Sequence, residues 1–540
     1  METKEHKQAG DQIRIETLDN PYLKGSKKWF PLKGDELIVT MMRQVNGVPV
    51  PLALELTAGD IVALAGDYYT KAGWGLRLNI PQTTSNEIAG TIDLFNQRVD
   101  PKETRAFHEA YSDLASPDVK KSDVEKIYNI EKTTYIPFFN SLNSIFQQLV
   151  YALTVKGYSA KLTQNEAHFS PWSARAYTVG HHSALHNAEL AHVCRKIAAG
   201  ESTEPANETL HGELENILQL IKSDPKAYGF TADDSNSKIY YELAHRFHAL
   251  AVSQDLFTMH FYSDHYAAGH LNRIGLLRKT MPEKFGTWGS ILINNMHNED
   301  NIRSVEVINP HQPSTTEKDA FRMYSEDDQA YGDGTYFNQN NAENSNMLVN
   351  GMTNSLGDIT RLIQNGIKPE TPDYGGLCFL PEVDYQKPQT QPMLINGADG
   401  KIYFRSNISC IQVLSPEKYQ ATLQKPDQHG YEELTYWKAF VLVFKLRVLG
   451  PIYSPKIEDV TVVELQSEIQ NQDVVNTGEE GRQLSSMPKS PKAALWRSTP
   501  PAPDALRCIG FTSVSTKEKE SSQIVESNNT ESSSYSPKLY

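Results

Sequence analysis

Twelve of the sixteen histidines in this 540-residue chain lie between His168 and His297, where an even spread would put about a quarter of them. They sit in segments whose apolar residues recur every three or four positions: ARAYTVGHHSALHNAELAHVCRKIAAG and ELAHRFHALAVSQDLFTMHFYSDH, preceded by FFNSLNSIFQQLVYAL. That spacing predicts amphipathic helices over about 137–280, with Gly200 as a C-cap and a further helix at 343–364. After Pro369 the texture changes. KIYFRSNISCIQVL and YWKAFVLVFKLRVLG are rich in β-branched and aromatic residues, so a β-rich domain is expected, with the 439–450 run as a strand. That run, interrupted by Lys445 and Arg447, is too short and too charged to span a bilayer. From about 473 onward Ser, Thr, Pro, Glu and Lys dominate, the composition of a disordered tail.

The expected organisation is therefore a flexible N-terminus (1–25), a helical domain (26–368), a β-rich domain (369–456) and a low-complexity tail (457–540). A net charge of −14 argues against a surface built for a nucleic-acid backbone, so no nucleic-acid partner is expected. The four cysteines lie far apart and form no CxxC pair, which excludes a zinc-thiolate site. The charged start, METKEHKQAGDQ, has no apolar h-region and reads as lacking a secretory signal peptide.

The densest polar cluster is HFYSDHYAAGH, residues 260–270. His260 and Asp264 are four apart, so a helix stacks them one turn over the other. Zinc takes His nitrogen and Asp oxygen at about 2 Å, and one helical turn supplies both. His270 follows the flexible AAG and can turn back toward the same cavity. Hard cations avoid imidazole, which disfavours calcium or magnesium. His182/His186 and His245/His248 have comparable spacing; either pair could bind a metal, and each reads equally as a polar face or as groups that orient metal ligands.

The spacing in HFYSDHYAAGH, together with LAGDYY, AHFSPWSARAY, MHNEDN and AYGDGTYF in that order, resembles the zinc-dependent phospholipase C and single-strand nuclease superfamily. The likeness covers about residues 30–365. Within it the motifs are most similar to the bacterial Pseudomonas- and Legionella-type phospholipases C, including those delivered by type IV secretion. The resemblance implies a mainly α fold around two or three zinc ions. Asp67, His168, His260 and Asp264 would surround the first ion, with Asp264 bridging to a neighbour. His270 and His297 would hold a second, completed by Glu299 or Asp300, because Asn301 stands where the superfamily has a carboxylate. For a third ion the resemblance calls on an early histidine; here that is His6, in the segment expected to be flexible, with Asp35 or Glu36 as substitutes.

The implied activity is hydrolysis of the glycerol-side phosphodiester of a phospholipid, with Asp67 as ligand, general base or both. Tyr68 either faces a choline head group or packs the core, and Arg273 either touches phosphate or is a surface charge. Trp29, Phe30 and Trp74, beside basic residues, suit a lipid interface or a core. The implied partners are a membrane surface and a secretion-system chaperone or receptor, the tail serving as a translocation signal after synthesis in a bacterial cytoplasm. The alternatives are a nuclease or 3′-nucleotidase on the same fold, or a non-catalytic effector that binds lipid or a host protein.

Overall fold

A computed structural model describes residues 3–15, 19–25, 36–66, 68–75, 78, 98–133, 161, 164–201, 208–309, 329–332, 335–336, 338, 341–449 and 456–458, without the side chains of 129–133, 208, 272, 273, 276, 329, 448 and 456–458. Among them are eleven helices: α1 (Thr3–Asp11), α2 (Ala58–Ala65), α3 (Pro101–Leu114), α4 (Lys121–Thr133), α5 (Trp172–Ala199), α6 (Glu208–Ser223), α7 (Asn236–Asp264), α8 (Asn272–Arg303), α9 (Ala342–Asn365), α10 (Pro416–Gln424) and α11 (Tyr436–Val448). The expectation of a mainly helical protein with a small strand-rich C-terminal region holds. Both regions belong to one compact unit, Met1–Gln483.

The centre is the pair α5 and α7. Every residue of α7 from Arg246 to Asp264 is buried, so each polar group there needs a partner inside the protein. The two helices approach closely because α5 offers small residues: a Cβ on Gly180 would lie 2.6 Å from the Thr258 Cβ. Thr258 instead donates to the Ala176 carbonyl at 2.9 Å. Farther along, His181 on α5 is clamped between two buried carboxylates, Asp255 on α7 at 2.8 Å and Asp358 on α9 at 3.2 Å. Gly200 ends α5 with φ 73° and Gly366 ends α9 with φ 71°, the left-handed geometry that glycine adopts without a steric penalty.

At the N-terminal side, Leu23–Lys24 (β1), Ile38–Val45 (β2) and Val48–Thr57 (β3) form an antiparallel sheet in the order β1-β2-β3. Strand β3 runs straight into α2. Thr57 caps α2 by accepting from the Asp60 amide at 3.0 Å, and Asp60 accepts in return from the Thr57 amide at 3.3 Å, a reciprocal capping box. Helix α1 then lies across α2. A Cβ on Gly10 would stand 2.6 Å from the Gly59 Cα, so the two glycines let the helix backbones touch. Lys7 fastens the crossing, reaching Asp60 at 2.7 Å and Asp11 at 3.1 Å. The expectation of a flexible N-terminus therefore does not hold for Thr3–Asp11: docking on α2 orders a helix too short to persist alone.

In the C-terminal region, Leu394–Asn396, Ile402–Arg405 and Tyr431–Glu433 build one antiparallel sheet, and Cys410–Leu414 pairs with Gln389–Thr390 and Lys456–Glu458 in another. The 439–450 run corrects the sequence reading: it lies largely in helix α11. Thr435 caps that helix through the Lys438 amide at 3.3 Å. Ala439, Leu442 and Val443 then bury against Ile274, Leu277 and Ile293 of α8, so tertiary packing overrides the β preference of its Val and Phe residues. Helix α8 itself bends at Gly286, where φ is 57°. Residues beyond 458 lie outside the described residues, including the expected tail.

Candidate metal centre

The C-terminal turn of α7 places His260 and Asp264 on one face, as their spacing predicts. Three neighbouring elements bring further imidazoles to that carboxylate. His168 comes from the 3₁₀ turn Glu166–His168, its Nδ1 2.6 Å from Asp264 Oδ2. His270 comes from the 3₁₀ turn Ala268–His270, its Nδ1 3.8 Å from Asp264 Oδ1. His6 comes from α1, its Nε2 3.3 Å from Asp264 Oδ1. His260 Nε2 lies 3.5 Å from Asp264 Oδ2 and 3.2 Å from His168 Nδ1.

Three of these rings are anchored by one nitrogen. His260 Nδ1 donates to the Val62 carbonyl at 2.8 Å, and His270 Nδ1 donates to the His168 carbonyl at 2.7 Å. His6 Nδ1 meets the Ser263 hydroxyl at 2.8 Å. A bond of this kind fixes the tautomer and orients the second nitrogen, as in metal-binding histidines. For His6 that second nitrogen is buried and makes no hydrogen bond among the described residues. His6 also stacks on His260, with ring centroids 4.2 Å apart.

The electrostatics prepare these groups to donate. Burial, reinforced by the neighbouring His6 imidazole, holds the His260 imidazole well below its ordinary pKa. It is therefore neutral, with a lone pair on Nε2. For Asp264 burial pushes the pKa up, but the imidazoles around it, His6, His270 and His260, outweigh burial and hold the carboxyl well below the usual range. A neutral imidazole beside an ionised carboxylate is the protonation state a metal requires. His6, His260 and Asp264, each buried, offer donor atoms within 4.8 Å of one another and could hold a metal ion.

Several expected residues fall elsewhere. His297 on α8 joins the edge of the cluster, its ring centroid 4.9 Å from that of His270. Glu299 does not close a metal shell: Arg405 holds both its oxygens, at 2.8 and 2.9 Å, and turns it toward the C-terminal sheet. Asp300 is buried on α8, yet among the described residues it forms no three-donor group with His270 and His297. Asn301 accepts from the Gly269 amide at 2.7 Å, bracing the turn that carries His270.

Glu36 precedes β2, where Leu37 accepts the first amide of α2, and it too is outside the metal-capable group. His6, the early histidine for which Glu36 would substitute, lies in that group with His260 and Asp264. The KEHKQAGD segment did carry a helix signal, an acidic first turn and the Lys7/Asp11 pair, but nothing local showed what it would dock against.

Tyr68 is buried in the core, its hydroxyl 3.1 Å from that of Thr3, so it packs the N-terminal helix rather than facing a head group. Trp74 is likewise buried, stacked on Phe261 and donating to the Ala106 carbonyl at 2.9 Å, which removes it from any lipid interface. Asp67, Asp35, Trp29, Phe30 and the side chain of Arg273 lie outside the described residues. Gly66, which precedes Asp67, abuts the cluster: a Cβ there would lie 2.6 Å from His168 Cε1.

Four further histidines bond to partners outside the cluster. His265 bonds Ser173 at 2.7 Å and faces Glu382, His182 meets Tyr374, His186 meets Glu213, and His248 meets Asn20. Comparison with protein-family models, with curated proteins and with solved structures returns no match for this chain. Among the described residues no helix is long and apolar enough to cross a membrane.

Proposed function

We propose that the chain is a zinc-dependent phosphodiesterase of the phospholipase C type, releasing diacylglycerol and a phosphorylated head group from a glycerophospholipid. One observation carries the reading: the dispersed residues His6, His168, His260, Asp264 and His270 converge on one buried carboxylate, with three rings anchored through Nδ1. The donor set fits zinc in kind: Asp264 Oδ1 lies 3.3 Å from His6 Nε2 and its Oδ2 lies 3.5 Å from His260 Nε2, and the three residues offer donor atoms within 4.8 Å of one another. Two imidazoles and a carboxylate also suit zinc better than a hard cation.

Zinc bound here would supply Lewis-acid polarisation of a phosphoryl oxygen and of the attacking water. The protein's own contribution is the fixed negative charge of Asp264, the neutral lone pair of His260, and a buried setting that keeps both in place. In this reading Asp67, the residue that follows Gly66 in the sequence, is a metal ligand, the general base for the attacking water, or both. Residues 457–540, rich in Ser and Glu, would serve delivery into a host cell by a type IV system.

The test is metal content and diacylglycerol release from mixed phospholipid micelles, for the wild type and Asp264→Asn in parallel. We expect wild-type zinc and turnover, and in the variant a loss of both with the circular-dichroism spectrum retained. A wild type that binds no metal overturns the reading. Bound zinc with turnover of single-stranded nucleic acid instead of lipid keeps the metal and replaces the substrate.

A further inference from the structure

Helix α11 is apolar on two faces, which is unusual for a helix at a protein surface. One face, Ala439, Leu442 and Val443, is buried on α8. The opposite face presents Trp437, 70 % exposed, and Phe444, 48 % exposed, with the half-buried Phe440 between them. Tyr436 adds a ring at the start of the helix, 61 % exposed.

Among the described residues only seven large apolar side chains are exposed, and three of them lie on these thirteen residues. Single exposed hydrophobes need no cause, but a contiguous aromatic face does. The face is also held in place: Phe440 packs edge-on against Trp288 of α8, ring centroids 5.2 Å apart, and at a tilt against Trp437 at 5.3 Å.

The charge around this face has one sign on the helix itself. Helix α11 carries Lys438, Lys445 and Arg447 and no acidic residue. At 100° per residue, Lys438 and Lys445 border one side of the aromatic face and Arg447 the other. Lys438 is paired with Glu432 at 3.0 Å. Among the described residues Arg447 bonds a neutral amide oxygen, Asn294 at 2.7 Å, and no carboxylate.

Indole and phenyl rings bordered by lysine and arginine match the chemistry of an anionic bilayer surface. The rings enter the head-group layer while the cations meet lipid phosphate and carboxylate. Protein–protein interfaces share the aromatic residues and arginine but are depleted of lysine, and two lysines border this face.

We propose that the exposed face of α11 seats this protein on an anionic lipid surface. The inference uses no residue of the metal cluster and does not depend on the catalytic reading.

The experiment is co-sedimentation of the full chain with phosphatidylcholine vesicles, with and without phosphatidylserine, comparing the wild type with Trp437→Ser/Phe444→Ser. Both positions are exposed, so the fold should survive, and an unchanged melting temperature checks this. We expect wild-type binding to require phosphatidylserine and to weaken with salt. The double variant should bind at least about tenfold more weakly. A variant that binds as well as wild type, or a wild type that ignores phosphatidylserine, overturns the proposal. So does a concentration-dependent dimer that the variant abolishes, since a second copy would then own the face. Hydrolysis of a monomeric short-chain phospholipid, measured on the same two proteins, separates the questions: its absence in both refutes the enzyme reading and leaves the vesicle result standing.

Discussion

Gly10→Ala sets local helix preference against tertiary fit. Gly10 lies inside α1, where replacing glycine by alanine ordinarily stabilises by about 1 kcal/mol. Here the new Cβ would stand 2.6 Å from the Gly59 Cα, whereas carbon atoms in contact settle at about 3.5–4.0 Å. Helix α1 must therefore retreat by roughly 1 Å, and overpacking of this kind costs about 1–3 kcal/mol. The consequence reaches the candidate metal centre, because His6 lies four residues earlier on the same helix face.

His6 Nε2 is 3.3 Å from Asp264 Oδ1, and a retreat of about 1 Å takes it beyond the donor spacing that one small ion tolerates. Metal affinity should fall at least about tenfold, the lower end of what displaced supporting groups cost. The effect is read by chelator competition and metal analysis, beside a thermal melt. Gly212→Ala is the control, since a Cβ there meets nothing within 4 Å, and it should leave metal affinity unchanged. If Gly10→Ala binds metal as tightly as wild type while His6→Ala does not, the helix contact is not what positions the ligand. If His6→Ala also binds normally, His6 is no ligand.

Two further outcomes follow from buried charge. Glu299→Gln should leave metal content intact but lower the melting temperature, because it strands Arg405, whose side chain is 2 % exposed; breaking such a pair costs about 3–5 kcal/mol. Loss of metal in this variant would restore Glu299 as a ligand. His181, despite a burial effect that lowers its pKa, is raised to about 9 by Asp255 and Asp358. The folded state therefore holds a proton that the unfolded state loses near pH 6.5. Its stabilisation is complete below pH 6.5 and disappears as pH rises toward 9. Denaturant titrations across that range should show the decline in wild type and a flatter profile in His181→Gln; matching slopes would refute the clamp.

What the sequence by itself determined is whatever a single segment's periodicity encodes. The central helices could be read from their apolar spacing, and Gly200 from its place after the last periodic residue. The His260/Asp264 pair could be read because one helical turn fixes their relation. His168, His270 and His297 entered through motif spacing, and the fold brought them to the same region.

Tertiary structure decided the rest. YWKAFVLVFKLRVLG has strand-like composition, yet an apolar run of that length is ambiguous, and the α8 surface that buries Ala439, Leu442 and Val443 makes most of it a helix. Glu299 carries the same carboxylate as a ligand, and only the opposing Arg405 shows that it serves the C-terminal sheet. His6 shows the limit most clearly. A nine-residue helix is marginal in isolation; it is ordered by the contact of Gly10 with Gly59 and by Lys7 on Asp60. The side chain that completes the candidate site is separated by 254 positions from His260, and no local pattern encodes a contact that exists only after the chain has packed.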